Sequence, residues 1–105
     1  GDLSRALKFA QESEAICKQV RGESHPDYAF SLNNLGTAYI RVAQYEHAVP
    51  LLRKALELME ANFGANDPKC AIIAGNLADL QFRLKNFDEA LRFAQRSLKR
   101  VLQEF

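Results

Sequence analysis

Residues 32–39 read Leu-Asn-Asn-Leu-Gly-Thr-Ala-Tyr, and residues 74–81 read Ala-Gly-Asn-Leu-Ala-Asp-Leu-Gln. A shift of 42 positions aligns these two segments, and the same shift places Pro26 on Pro68 without a gap. Self-similarity at a fixed period is typical of stacked supersecondary units. The sequence therefore predicts one repeat-built unit over residues 1–105. We divide this unit into a half-repeat at residues 2–21 and two repeats at residues 25–63 and 67–105.

Apolar residues recur every three or four positions within each repeat, as Leu32, Leu35 and Tyr39 do. This spacing is typical of an amphipathic helix, whereas apolar residues alternate along a half-buried strand. Pro26 and Pro68 each follow capping side chains, which predicts helix starts because proline is tolerated in a first helical turn. Helices are expected at residues 2–20, 26–42, 45–62, 68–84 and 87–104. The predicted fold class is all-α, an antiparallel helical-hairpin solenoid with five helices and about two and a half repeats.

Residues 32–39, followed by Ala48, Leu52 and Ala55, resemble the tetratricopeptide signature W-x2-L-G-x2-Y, A-x3-F, A. Leu32 stands where that signature has tryptophan. The period of 42 exceeds the usual 34 or so, which corresponds to about one more turn for each helix of a pair. This length is similar to that of the kinesin-light-chain class of these repeats. The resemblance implies a protein-interaction scaffold whose first helix in each pair lines a concave surface.

The candidate peptide-binding residues lie on these first helices, at spacings that place them on one helix face. They are Phe30, Asn33, Asn34, Thr37 and Arg41 in the first repeat, and Ile72, Asn76, Asp79 and Arg83 in the second.

The repeated amides and guanidinium groups have chemistry suited to a peptide. Asn34 and Asn76 can donate to and accept from the backbone of an extended peptide, which the resemblance implies for light-chain repeats. An equally open alternative is that these amides bond between neighbouring helices and hold the stack together. Arg41 and Arg83 can pair with ligand carboxylates through guanidinium forks.

Composition and motifs argue against several other functions. Fourteen basic and thirteen acidic side chains leave a net charge of +1, so no strong field favours nucleic acid or a membrane surface. His25 and His47 have no ligand partners at metal spacing, and no phosphate or dinucleotide loop is present. We therefore expect no metal, no cofactor and no enzymatic activity. Cys17 and Cys70 are far apart in sequence, which indicates a reducing, cytoplasmic setting.

The sequence thus favours an adaptor or scaffold that binds a peptide segment of a partner protein in a concave groove. The resemblance implies that this peptide is a short linear motif with acidic residues. The alternative is a structural spacer or self-associating segment that has no groove of its own. End-to-end association is predicted from apolar residues such as Leu98, Leu102 and Phe105, because terminal repeats usually require polar caps.

Overall fold

The computed structural model describes the backbone of residues 1–102 and the side chains of residues 1–98. In this range the chain forms five α-helices and no strand. They are α1 (Asp2–Arg21), α2 (Pro26–Arg41), α3 (Tyr45–Phe63), α4 (Pro68–Arg83) and α5 (Phe87–Leu102). The predicted bounds agree to within one residue, except at the end of α5. The predicted end at residue 104, the side chain of Leu102 and the whole of Phe105 lie outside the described residues.

The helices α2 and α4 begin in the same way. His25 is the N-cap of α2, and its Nδ1 accepts a hydrogen bond from the backbone N–H of Asp27 at 3.0 Å. Asp67 is the N-cap of α4, and its carboxylate accepts from the backbone N–H of Lys69 at 2.9 Å. Each cap satisfies one of the first backbone N–H groups, which have no partner within the helix. Proline follows each cap, as the sequence predicted.

The turns that join α2 to α3 and α4 to α5 share one geometry. Ala43 has φ 63° and Lys85 has φ 64°, so both occupy the left-handed region that non-glycine residues seldom adopt. In each turn the backbone N–H of the following residue donates back across the turn, to the Tyr39 carbonyl at 2.9 Å and the Gln81 carbonyl at 2.8 Å. The two complete hairpins are therefore closed by the same turn.

Each helix packs against the helix that follows it, and α3 contacts α2 on one side and α4 on the other. The main core lies among these three helices, with Leu52, Leu77 and Leu80 fully buried. A smaller cluster contains Ala10 of α1 and Leu35 and Ala38 of α2, with further apolar side chains packed against it. The stack is therefore continuous from α1 to α5.

In the first hairpin, α2 and α3 approach each other closely at Gly36. A Cβ added there would lie 3.0 Å from both Cγ and Cδ2 of Leu52, a fully buried side chain. Small residues at a helix crossing permit short interaxial distances. In the second hairpin the corresponding pair is Ala78 and Ala94, and Ala94 is exposed. The two hairpins therefore differ at an equivalent contact.

Candidate peptide-binding surface

A cavity of about 300 Å³ lies between α1 and α2. Three of the predicted binding residues, Asn34, Thr37 and Arg41, contribute to its lining. Its opposite wall comes from α1 and is formed by Leu3, Ala6, Phe9, Ala10 and Ser13. The cavity thus combines an apolar wall with a wall that carries an amide, a hydroxyl and a guanidinium group. Such a mixture can hold apolar side chains and orient a peptide backbone.

The predicted binding residues of α2 differ in exposure and in their hydrogen-bond partners. Phe30 is 44% exposed, so a large aromatic ring faces solvent at the start of the helix. Asn33 is half-buried, and its Oδ1 has no hydrogen-bond partner among the described residues. The Thr37 hydroxyl donates to the Asn33 backbone carbonyl at 2.9 Å, which leaves its oxygen lone pairs for a ligand. Arg41 is exposed and has no ion-pair partner within the described part of the chain.

On α4 the equivalent residues form a different local arrangement. Ile72 is 64% exposed, and Asn76 is half-buried. Asp79 stands where α2 has Thr37, and its Oδ2 accepts from Nε of Arg83 at 3.0 Å. The hydrogen bond to Asp79 raises the pKa of the Arg83 guanidinium, which also lies over the Tyr45 ring at 5.9 Å. The positive charge of Arg83 is therefore partly balanced by the Asp79 carboxylate.

The repeat shows why the cavity between α1 and α2 is open. Moved forward by 42 positions, its lining corresponds to residues on α3 and α4, among them Ala48, Leu52, Ala55 and Leu80. All four of those residues are 0% exposed, and α2 packs against α3 at Leu52. Helix α2 therefore covers the α3 part of this surface, one repeat later. Between α1 and α2 the surface remains accessible.

The wall from α1 was missed by the sequence analysis, which restricted the groove to the first helices of each repeat. The signal was present, because Leu3, Ala6 and Ala10 recur at spacings of three and four.

A buried polar contact fixes the position of α1 against α2. The Tyr28 hydroxyl donates to Oε1 of Glu14 at 2.6 Å, and Tyr28 is only 3% exposed. Burial, reinforced by this hydrogen bond and the Glu14 charge, raises the pKa of Tyr28 well above its ordinary value. The phenol therefore remains a neutral donor at physiological pH. The contact therefore helps to fix the position of α1, which forms one wall of the cavity, relative to α2, which forms the other.

Neither metal chemistry nor membrane insertion finds support in the described residues. The His, Cys, Asp and Glu side chains of this part of the chain form no group that could bind a metal ion. None of the helices, as far as they are described, combines the length and apolar character needed to cross a bilayer.

The family model described as tetratricopeptide repeat matches residues 1–61 and 44–103. The chain belongs to the tetratricopeptide-repeat family. The two matches together cover nearly all of the sequence, in agreement with the internal repeat and the five-helix fold. Tetratricopeptide repeats are, in general, modules for interaction between proteins.

Solved structures of other tetratricopeptide-like repeats share the fold of this chain. The TPR-like repeats of a kinesin light chain from Podosopora anserina superpose with a TM-score of 0.92 at 19% identity, covering 100% of this chain and 50% of that one. BtubC (BKLC) from P. vanneervenii superposes with a TM-score of 0.88 at 23% identity, covering 94% of this chain and 39% of that one. At these identities the likeness shows the fold alone. The fold is therefore like that of kinesin-light-chain repeats, the class that the period of 42 residues also resembles.

Curated relatives are much longer than the present tetratricopeptide segment. Tetratricopeptide repeat protein 19, mitochondrial, from Rattus norvegicus is 24% identical over 99 residues, which are 94% of this chain and 26% of that protein. The human clustered mitochondria protein homolog is 28% identical over 98 residues, 93% of this chain and 8% of that protein. The RxLR effector protein SFI4 of Phytophthora infestans is 31% identical over 81 residues, 77% of this chain and 24% of that protein. The chain therefore spans about a quarter or less of these relatives.

Proposed function

We propose that this tetratricopeptide segment binds an extended peptide of a partner protein along α2 and α4, and so acts as an adaptor or scaffold. The observation that carries the proposal is a repeated stripe, exposed except at the half-buried Asn76, in which an apolar, an amide and a guanidinium side chain recur 42 residues apart. Its members are Phe30, Asn34 and Arg41 on α2, and Ile72, Asn76 and Arg83 on α4. The division into a half-repeat and two repeats belongs to the same proposal.

The difference between the two arginines suggests where a ligand charge would bind. Arg83 already pairs with Asp79, whereas Arg41 lacks a carboxylate partner among the described residues. An acidic side chain of the peptide therefore gains more at Arg41, where a charge-assisted hydrogen bond does not have to displace an existing one. Apolar side chains of the peptide would pack on Phe30, on Ile72 and on the α1 wall.

The first test is a screen of the immobilised segment against a library of linear peptides. We expect enrichment of a shared motif that contains at least one acidic residue. The double variant Asn34→Ala/Asn76→Ala should weaken binding of that motif by at least about tenfold, since a lost hydrogen bond to a partly buried group costs about 1.5 kcal/mol. Equal binding by the double variant, with helicity unchanged by circular dichroism, would sink the groove assignment.

Two variants that each remove one positive charge distinguish binding in the groove from general electrostatic attraction. Arg41→Ala removes a cation from the cavity lining, and Lys8→Ala removes an exposed cation from α1 outside that lining. Binding of the acidic motif should fall for Arg41→Ala alone. Equal losses in both variants would show that net charge, rather than the site, attracts the peptide.

A second candidate function is a self-associating structural segment, and exposed apolar side chains on α1 and α5 favour it. Phe9 and Val20 on α1, and Phe87 and Leu91 on α5, are all more than half exposed. Contiguous exposed apolar patches on soluble proteins often mark interfaces. Neither candidate requires a catalytic residue. The cytoplasmic location also stays a prediction, and the name of the rat relative places that protein in mitochondria.

A further inference from the structure

The guanidinium group of Arg83 on α4 is held by two neighbours. Its Nε donates to Oδ2 of Asp79 at 3.0 Å, and its Cζ lies 5.9 Å from the centre of the Tyr45 ring. The side chain of Asp79 is 59% exposed and that of Arg83 is 49% exposed, so the ion pair is accessible from solvent. A ligand that reaches this place therefore meets a carboxylate as well as a guanidinium group.

The equivalent place on α2 has different neighbours. Moved back by 42 positions, Asp79 corresponds to Thr37 and Tyr45 corresponds to Leu3. Thr37 and Leu3 line the cavity between α1 and α2 together with Arg41, and neither of them carries a charge. The position four residues before the arginine therefore holds a carboxylate on α4 and a hydroxyl on α2.

The two places favour different groups of a bound peptide. A peptide carboxylate at Arg41 can form a charge-assisted hydrogen bond without approaching a carboxylate at position 37. At Arg83 the same group must approach Asp79, and repulsion between two carboxylates about 4 Å apart weakens binding about fivefold even in water. The second carboxylate oxygen of Asp79 can instead accept from a hydrogen-bond donor of the peptide.

We propose that Asp79 determines the specificity of the groove: the bound peptide carries an acidic residue at Arg41 and a non-acidic hydrogen-bond donor, such as lysine or glutamine, at Asp79. This inference rests on the proposed function, because it requires a peptide that lies along α2 and α4. The partner is then recognised by the order of an acidic and a non-acidic anchor, and a second acidic anchor weakens its binding.

The repeat supplies substitutions that exchange the two places. Asp79→Thr gives α4 the threonine and arginine pair of α2, and Thr37→Asp gives α2 the aspartate and arginine pair of α4. The double variant Thr37→Asp/Asp79→Thr keeps the composition and the net charge of the parent. Any change in its ligand preference therefore arises from the position of the carboxylate. Circular dichroism checks that each variant keeps the helicity of the parent.

The immobilised parent and the double variant are screened against the same library of linear peptides. We expect the parent to enrich an acidic residue and a non-acidic donor at a fixed separation. The double variant should enrich the same two kinds of residue in the reverse order along the peptide.

Asp79→Thr alone alters an exposed residue and tests the inference by itself. It should accept acidic residues at both anchors. A peptide with two acidic anchors, made by changing the donor of the parent motif to glutamate, should bind Asp79→Thr at least about fivefold more tightly than it binds the parent.

Glu57→Gln is the matched control, because it removes one exposed negative charge from α3, outside the predicted binding residues. It should bind the doubly acidic peptide as the parent does. An equal gain in Glu57→Gln and Asp79→Thr would show that net charge sets the preference and would overturn the inference. A motif that the parent, Asp79→Thr and the double variant all enrich unchanged would contradict this inference alone. A parent that enriches no motif would overturn it together with the proposed function.

Discussion

Tyr28 contributes to the packing of α1 against α2 through the hydrogen bond from its hydroxyl to Glu14. Tyr28→Phe keeps the buried ring and removes only the donor, which leaves a half-buried carboxylate without this partner. We expect a loss of about 1.5 kcal/mol in the free energy of unfolding at pH 7, the usual scale for a hydrogen bond to a charged group. Urea denaturation of both proteins measures the difference. A change below about 0.5 kcal/mol would show that solvent replaces the contact.

The raised pKa of Tyr28 gives this difference a defined pH dependence. The folded state favours the neutral phenol, so its contribution is fully present below the unfolded pKa of about 10. The contribution is then lost as pH rises through the higher folded-state pKa. The stability difference between the parent and Tyr28→Phe should therefore be constant from pH 7 to 9 and shrink above about pH 10. A difference that grew in the alkaline range would contradict this assignment.

Gly36 and Gly75 should respond in opposite ways to substitution by alanine. A Cβ at Gly36 would crowd the Leu52 side chain at 3.0 Å, whereas a Cβ at Gly75 would meet Oγ of Ser97 at 3.5 Å, an ordinary contact. Helix propensity favours alanine by about 1 kcal/mol at either position. We expect Gly75→Ala to stabilise by up to that amount, and Gly36→Ala to destabilise by about 1 kcal/mol net, because overpacking costs more. Thermal denaturation compares the two variants directly. Stabilisation of both would show that the Leu52 side chain moves away from the added methyl group at little cost in free energy.

At the scale of a helix, the N-cap of α4 offers a clean test. Asp67→Ala removes the acceptor for the Lys69 backbone N–H and should cost about 1 kcal/mol. Asn66→Ala, at the exposed neighbouring position, should change stability by less than about 0.5 kcal/mol. Chemical denaturation monitored by circular dichroism distinguishes the two. Similar losses in both variants would mean that the connecting loop, rather than the cap, stabilises the start of the helix.

The helices were predictable because their signals are local. Capping residues, Pro26 and Pro68, and apolar spacing all act within a few positions, so the observed bounds lie within one residue of those expected. The side-chain arrangement of the surface was less accessible from sequence. Asp79 was assigned to the binding face by position, but its pairing with Arg83 depends on rotamers that spacing does not determine.

At the scale of the whole molecule, stability should be highest in the middle. Helix α3 packs against α2 and α4 on opposite sides, while α1 packs chiefly on α2. Repeat arrays behave as nearly one-dimensional stacks, so their ends open at lower free energy. Amide hydrogen exchange should therefore be slowest in α3 and faster in α1. Uniform protection along the chain would instead indicate that the stack opens as a single unit.

The location of the cavity also depended on the whole molecule. Sequence spacing assigned Asn34, Thr37 and Arg41 to one face of α2 but could not show that α1 forms the opposite wall. That wall consists of side chains of α1, which packs against α2. The cavity therefore results from packing between two helices, and the pattern of residues within α2 alone does not predict it.

The two matching turns at Ala43 and Lys85 have a consequence for ligands. Ala43 and Lys85 have nearly equal φ angles, and equivalent residues of α2 and α4, such as Asn34 and Asn76, stand at the same sequence distance before them. A peptide bound along α2 and α4, as proposed, therefore meets the same amide chemistry twice. Its two anchoring residues should need a set separation, so changing the length between them, with their identity kept, should abolish recognition.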